Sequence, residues 1–386
     1  MKAMILAAGK GTRMRPLTYL APKPMVSIAR VPVMETLIKH LAKAGVTEIV
    51  VNSSYLSHHL ENYFRDGHQW GVNIGMSFEG YIENGSLTAI AIGSAGGIKK
   101  IQEFSGFFDE PFLVLCGDAY VDFDVAAFEK FHNDRGAIAS LLMQDVPRDA
   151  VSEYGVVQAD TDGRIQQFQE KPTPEEAVAT TVNTGIYLFS PEAIDLIPVG
   201  ETYDIGGDLF PDLVSKNLPF YAMCQDFNWL DIGGIRDFFT CQARVLQGEI
   251  PSFEIPGEQI HDQVWVGQNC QIETAEGALK NGVLIGSSSK IDPGVVIDGP
   301  AIIGANCHVG SGARLSNVFI DDHIRIAPGA ELKDVIIAGG YVVHPDGESS
   351  YWSDSLDCVS DSRSQDGTSA QQSTARNTPM NLRYSA

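Results

Sequence analysis

The stretch MILAAGKGTRMRPLT, residues 4–18, joins an apolar run to a glycine loop and then to two fixed cations. Gly9 and Gly11 let the backbone turn tightly and bring bare N–H groups against a ligand. A polyphosphate accepts such hydrogen bonds and attracts cations. Arg13 offers a planar fork for phosphate oxygens, and Lys23, stiffened between Pro22 and Pro24, offers a point charge. The loop lacks the Gly-Lys-Ser/Thr ending of a Walker motif and the third glycine of a dinucleotide fingerprint. Further along, Asp118 ends the apolar run FLVLCGD and Asp231 ends FNWLD.

The elements that must position these groups follow from periodicity. Met4–Ala8, Glu48–Asn52, Val72–Phe78, Phe112–Cys116 and Ile138–Met143 read as strands, most too uniformly apolar for a one-sided sheet. Val33–Ala44, Leu56–Phe64 and Val125–Asn133 carry apolar residues at helical spacing. Their alternation predicts an α/β, Rossmann-like domain with a mostly parallel sheet, whose ligand loops gather at the carboxyl ends of the strands. Beyond GEIPSFEIPGEQI the pattern changes: Ile285, Ile291, Ile297, Ile303, Val309 and Leu315 recur every six residues, and Ile320, Ile326 and Leu332 resume after a slip of one. One buried aliphatic per hexad predicts a short left-handed parallel β-helix, three hexads to a coil. The expected organisation is a catalytic domain over 1–248, a β-helix over 258–345 and a flexible Ser/Asp/Gln-rich tail over 346–386, with Tyr351 and Trp352 docking its start.

Composition narrows the function classes. A net charge of −22 repels polyanions, so neither nucleic acid nor an anionic membrane surface is an expected partner. No run reaches the ~20 apolar residues of a membrane span, and the opening apolar run is too short for a signal core. The six scattered cysteines, without a CxxC pair, read as reduced thiols of a cytoplasmic protein. His58, His59, His308 and His323 lack metal-ligand spacing.

The opening GxGTRxxPLT with PKP resembles the signature of the sugar-phosphate nucleotidylyltransferases, or nucleotide-sugar pyrophosphorylases. GSAGG at 93–97, LCGDA at 115–119, YGVV at 154–157, FQEKP at 168–172, NTGIY at 183–187 and WLDIG at 229–233 follow in that family's order, and several of its branches carry a left-handed β-helix. The resemblance implies a reaction of a nucleoside triphosphate with a sugar 1-phosphate that releases pyrophosphate, with Mg2+ as cofactor. It implies that Leu6, Ala7, Ala8, Gly9, Gly11 and Thr12 hold nucleotide, that Gly93 lies by the base, and that Arg13 and Lys23 neutralise phosphates. Asp118 and Asp231 would fix Mg2+, Lys171 would grip the sugar phosphate, and Gly155, Glu170 and Asn183 would bind the sugar. Asp204 and Asp208 in YDIGGDLFP read as structural.

The excursion FEGYIENGSLTAIAIGSAGG, YDIGGDLFP and the short β-helix look like the cyanobacterial-type UDP-glucose pyrophosphorylases, which implies UTP and glucose 1-phosphate. GSAGG also lies near the GTAG of mannose-1-phosphate guanylyltransferases, so GTP with mannose 1-phosphate stays open. A β-helix acyltransferase and a catalytically inactive nucleotide-sugar sensor are the readings from other classes. Exposed solenoid ends suggest a homo-oligomer formed through the β-helix.

Overall fold

The computed structural model describes residues 1–83 and 86–363. By contacts it divides into two units, one of residues 1–12, 21–27 and 32–231, the other of residues 13–20, 28–31 and 232 onward.

In the first unit the strand Lys2–Ala7 pairs in parallel with Glu48–Ser53 on one side and Phe112–Cys116 on the other, and Asn73–Phe78 extends the row beyond Glu48–Ser53. Ala3, Ile5 and Ala7 enter one apolar cluster, whereas Met4 enters a second. Leu113 and Leu115 likewise separate from Phe112 and Val114. Both faces of these strands are therefore covered, which is why their sequences read as unbroken apolar runs. Helices Val33–Lys43, Ser57–Phe64 and Val125–Asp134 fall where the periodicity puts them.

The rest of the sheet departs from the parallel expectation. Thr181–Phe189 runs antiparallel to both Phe112–Cys116 and Ala139–Asp145, and Gly155–Ala159 pairs antiparallel with Ile165–Glu170. A connection of a few residues, such as that between Ala159 and Ile165, is too short for a crossover helix and forces antiparallel pairing. A helix the periodicity did not show, Ser94–Ser105, opens with Gly96 and Gly97 in its first turn. Trp229–Asp231 pairs antiparallel with Ala119–Val121 in a separate ribbon.

The second unit is a parallel coil with three faces. One face stacks Val264, Val283, Ala301, Val318 and Val335; another Gln271, Lys290, His308 and Arg325; the third Leu279, Ile297, Leu315 and Leu332. The steps of 17 to 19 residues are three hexads each, and the slip after Leu315 is a 17-residue coil. Ile285, Ile291, Ile297 and Ile303 are fully buried, each contributing about 1.5–3 kcal/mol.

At each end of the coil antiparallel strands pair with part of the ladder. Glu258–His261 pairs with Val264–Val266 at the start. At the far end Tyr341–Val343 pairs with Glu331–Ala338 and with Ser349–Tyr351, and Val359–Asp361 pairs with Ile324–Ile326. Residues 349–361, expected within the flexible tail, thus close the solenoid, with Tyr351 stacked on Tyr341 at 4.7 Å. The remainder of that expected tail, 364–386, lies outside the described residues. The helix Ile235–Leu246, which the sequence pattern groups with the first 248 residues, packs on the coil through Phe238 and Phe239, whose rings lie 5.6 and 5.2 Å from that of Phe319. Residues 28–31 join the same unit: Arg30 pairs with Asp322 at 2.7 Å, and the Ala29 N–H donates to Gln242 Oε1.

Candidate active site

The first strand delivers the glycine loop. Leu6 and Ala7 end the strand, and Ala8, Gly9 and Gly11 follow, with Gly11 at φ 60°. A side chain at Gly9 would meet nothing within 4 Å, so the chain's own packing does not demand a glycine there. A bare backbone next to open space is what a closely approaching ligand requires. The Ala7 N–H is taken internally, because it donates to the buried Asn52 Oδ1 at 2.7 Å, and Asn52 Nδ2 donates to the buried Glu79. Asn52 therefore fixes the root of the loop. Thr12 and Arg13 sit exposed on the short helical turn Thr12–Met14, and by contacts Arg13 goes with the second unit.

The neighbouring strand brings the acids. Gly117 packs so tightly on the first strand that a Cβ would lie 2.9 Å from Ile5 and 3.0 Å from the Leu6 carbonyl, and its N–H donates to that carbonyl. The next residue, Asp118, accepts from Lys23 Nζ at 2.5 Å in a half-buried ion pair. Asp231 stands opposite Ala119 in the ribbon, one residue out of register with Asp118. Burial first, then the charges of Asp118 and Asp231, push the Cys116 thiol well above its usual range, while Lys23 opposes them. Lys23, Asp118 and Asp231 thus all act electrostatically on this one thiol. Two carboxylates with an adjacent ammonium can hold one divalent cation and the phosphate oxygens that complete its shell. Among the described residues no group of three or more His, Cys, Asp or Glu gathers as a ready-made metal cage.

A second cluster is built around Glu170. Gly155 stands opposite Glu170 across the hairpin. A Cβ at Gly155 would lie 3.2 Å from the Glu170 carboxylate, and one at Gly206 would lie 2.9 Å from it. The carboxylate thus rests between two bare backbones, and burial raises its pKa against the lowering effect of Lys171. Lys171 takes a left-handed φ of 46° and points its ammonium 3.7 Å from Glu170. Such a backbone is uncommon for a lysine. Asn183 sits in a bulged part of Thr181–Phe189, its side chain hydrogen-bonded to Gly185 and Tyr187.

The GSAGG and YDIGG loops interlock. Gly93, at φ 76°, would drive a Cβ to 2.3 Å from the Tyr203 carbonyl, and that carbonyl accepts from the Gly96 N–H. Ser94 Oγ donates to Asp204 and accepts from the Ile205 N–H. Asp204 also accepts from Gly206 and Gly207, while Asp208 accepts from the Asp204 N–H. Packing alone accounts for Gly93, and the two aspartates cap and brace the turn as structural groups. Asn52, Cys116 and Tyr187 are the site neighbours that sequence reasoning missed. Cys116, within LCGDA, and Tyr187, within NTGIY, carried a signal, and Asn52 carried none.

The nucleotidyl transferase family matches residues 2–248, and bacterial transferase hexapeptide repeats match residues 282–317, which makes the coil a left-handed β-helix. The chain is 49% identical over 347 residues to the UTP--glucose-1-phosphate uridylyltransferase of Synechocystis sp., covering 90% of this chain and 89% of that protein. It is 30% identical over 334 residues to the mannose-1-phosphate guanylyltransferase of Mycobacterium tuberculosis, covering 86% and 82%. A solved structure of UDP-glucose pyrophosphorylase complexed with UDP-glucose shares the fold, with a TM-score of 0.53 at 19% identity, over 63% of this chain and 97% of that one. No helix among the described residues is long and apolar enough to cross a membrane. The match over residues 2–248 takes in the glycine loop, Lys23, Asp118 and Asp231 alike, and the chain belongs to the nucleotidyl transferase family.

Proposed function

We propose that this chain carries out its family's reaction as transfer of a uridylyl group from UTP to glucose 1-phosphate, giving UDP-glucose and pyrophosphate. The observation that carries this reading is the 49% identity to the Synechocystis uridylyltransferase across both units, against 30–35% to mannose-1-phosphate guanylyltransferases. A phosphate oxygen of glucose 1-phosphate attacks the α-phosphorus in line; the new P–O bond forms as the bond to the bridging oxygen breaks, and pyrophosphate leaves. Two anions must meet, so the chain's contribution is positioning and neutralisation.

In this reading Gly9 and Gly11 present backbone to the nucleotide, with Leu6, Ala8 and Thr12 beside them, and Arg13 and Lys23 take phosphate oxygens. Asp118 and Asp231 would hold Mg2+, a hard cation that fits two carboxylates and the phosphates. When bound, Mg2+ supplies further positive charge to the phosphates. Gly155 and Glu170 would face the sugar hydroxyls, Asn183 the sugar, and Lys171 its phosphate. The working division is 1–248 for catalysis and 258–345 for the β-helix, through which the protein would form a homo-oligomer. The protein is taken to work in the cytoplasm. Incubation with UTP, glucose 1-phosphate and Mg2+ should yield UDP-glucose and pyrophosphate in equal amounts by phosphorus NMR. UTP consumption that yields no UDP-glucose would overturn the reading.

A further inference from the structure

The strand Thr181–Phe189 contains a bulge where it pairs with Ala139–Asp145. Leu141 pairs with Tyr187 and Met143 with Asn183, so the single residue Leu142 stands opposite the three residues 184–186. In a regular strand residues four apart have Cα atoms about 13 Å apart and side chains that stand off the sheet without meeting. Here the Asn183 Nδ2 donates to the Tyr187 hydroxyl at 2.9 Å. The bulge is fixed by Thr184 Oγ1, which donates to the Leu142 carbonyl, and by Gly185 at φ 75°, where a Cβ would lie 2.8 Å from Cys116 Sγ.

The same contacts decide which way the Asn183 amide faces. The Gly185 N–H donates at 2.9 Å and can be accepted only by the amide oxygen. The nitrogen must then turn to Tyr187, which leaves its second N–H as the group Asn183 has to offer. Tyr187 is 5% exposed, and burial pushes its pKa well above the usual value, so its hydroxyl stays neutral. Its ring packs on Phe210, which packs in turn on Phe168, whose ring lies against Gly155 of the sugar cluster. Its ring is held independently by Phe210 at 5.2 Å and Phe189 at 5.8 Å.

We infer that Tyr187 is a positioning residue: through the bulge its hydroxyl locks the Asn183 amide so that Asn183 meets the sugar 1-phosphate as a hydrogen-bond donor. This rests on the proposed sugar role of Asn183. The test is a double-mutant cycle in the full chain with Tyr187→Phe, which keeps the packed ring, Asn183→Ala, and both together. Tyr187→Phe should raise KM for glucose 1-phosphate about threefold to tenfold, the value of one hydrogen bond. KM for UTP and the melting temperature should stay near wild type. The double variant should match Asn183→Ala alone, because Tyr187 acts only through Asn183. If Asn183→Ala leaves the sugar KM unchanged, the sugar role of Asn183 falls and the inference with it. If Asn183→Ala raises that KM but Tyr187→Phe does not, or if the two effects multiply, the inference alone is overturned.

Discussion

Replacing Asp118 or Asp231 by Asn keeps the shape of each side chain and removes its charge. The ribbon sets the two acids one residue out of register on paired strands, with both charges felt by Cys116 between them. If they serve one cation, each variant loses a charge–charge contact of roughly 4 Å. At an effective dielectric of about 20 a unit charge and a divalent cation at that distance attract by about 8 kcal/mol; the amide dipole of Asn retains part of it, so a loss of at least about 4 kcal/mol, or about a thousandfold in kcat/KM, is expected. The double variant should be little worse than either single one, because the second acid cannot hold the ion alone. Asp118→Asn also turns the 2.5 Å ion pair with Lys23 into a hydrogen bond to a neutral amide, so it should cost about 1 kcal/mol of stability. Pyrophosphate release at saturating Mg2+, with circular-dichroism melts of the same samples, measures both effects. Near-normal turnover of either folded single variant, or a double variant showing the full product of the single losses, would refute a shared cation.

Lys171→Met keeps the stem and removes the charge, so KM for glucose 1-phosphate should rise far more than KM for UTP in steady-state kinetics; equal changes would make Lys171 structural. Gly93→Ala forces a Cβ against the Tyr203 carbonyl at a left-handed φ and should cost at least about 2 kcal/mol, seen as a lower melting temperature. An unchanged melt with a raised KM for UTP would show instead that Gly93 serves the nucleotide. His132 is 1% exposed, hydrogen-bonded to Ser140 and Ser190, and burial lowers its pKa to about 4. The unfolded chain takes up that proton first, so stability should fall by about 3 kcal/mol as pH drops from about 6.5 to about 4. His132→Asn should flatten that slope in melts across the range, and an identical slope would count against it.

The parallel strands were legible because each is buried on both faces: alternate residues such as Ala3 and Met4 enter different cores, so the apolar run has no gap. The coil was legible for the opposite reason, as one buried aliphatic per hexad leaves the intervening residues free to be small or polar. What escaped depends on tertiary contact. Helix Ser94–Ser105 starts with glycines that are poor helix formers, kept because Tyr203 and Glu79 crowd their Cα atoms. The contact between Asn183 and Tyr187 needs a bulge, and the hold of Asn52 on Ala7 spans 45 residues. Strands 349–351 and 359–361 come from a polar stretch and form because the coil offers them open edges.

The central claim is the pairing of nucleotide and sugar, and the most direct test is kcat/KM for pyrophosphate release across the four nucleoside triphosphates with glucose, mannose and N-acetylglucosamine 1-phosphates in the presence of Mg2+. UTP with glucose 1-phosphate should give the highest value. A higher value for GTP with mannose 1-phosphate would contradict it.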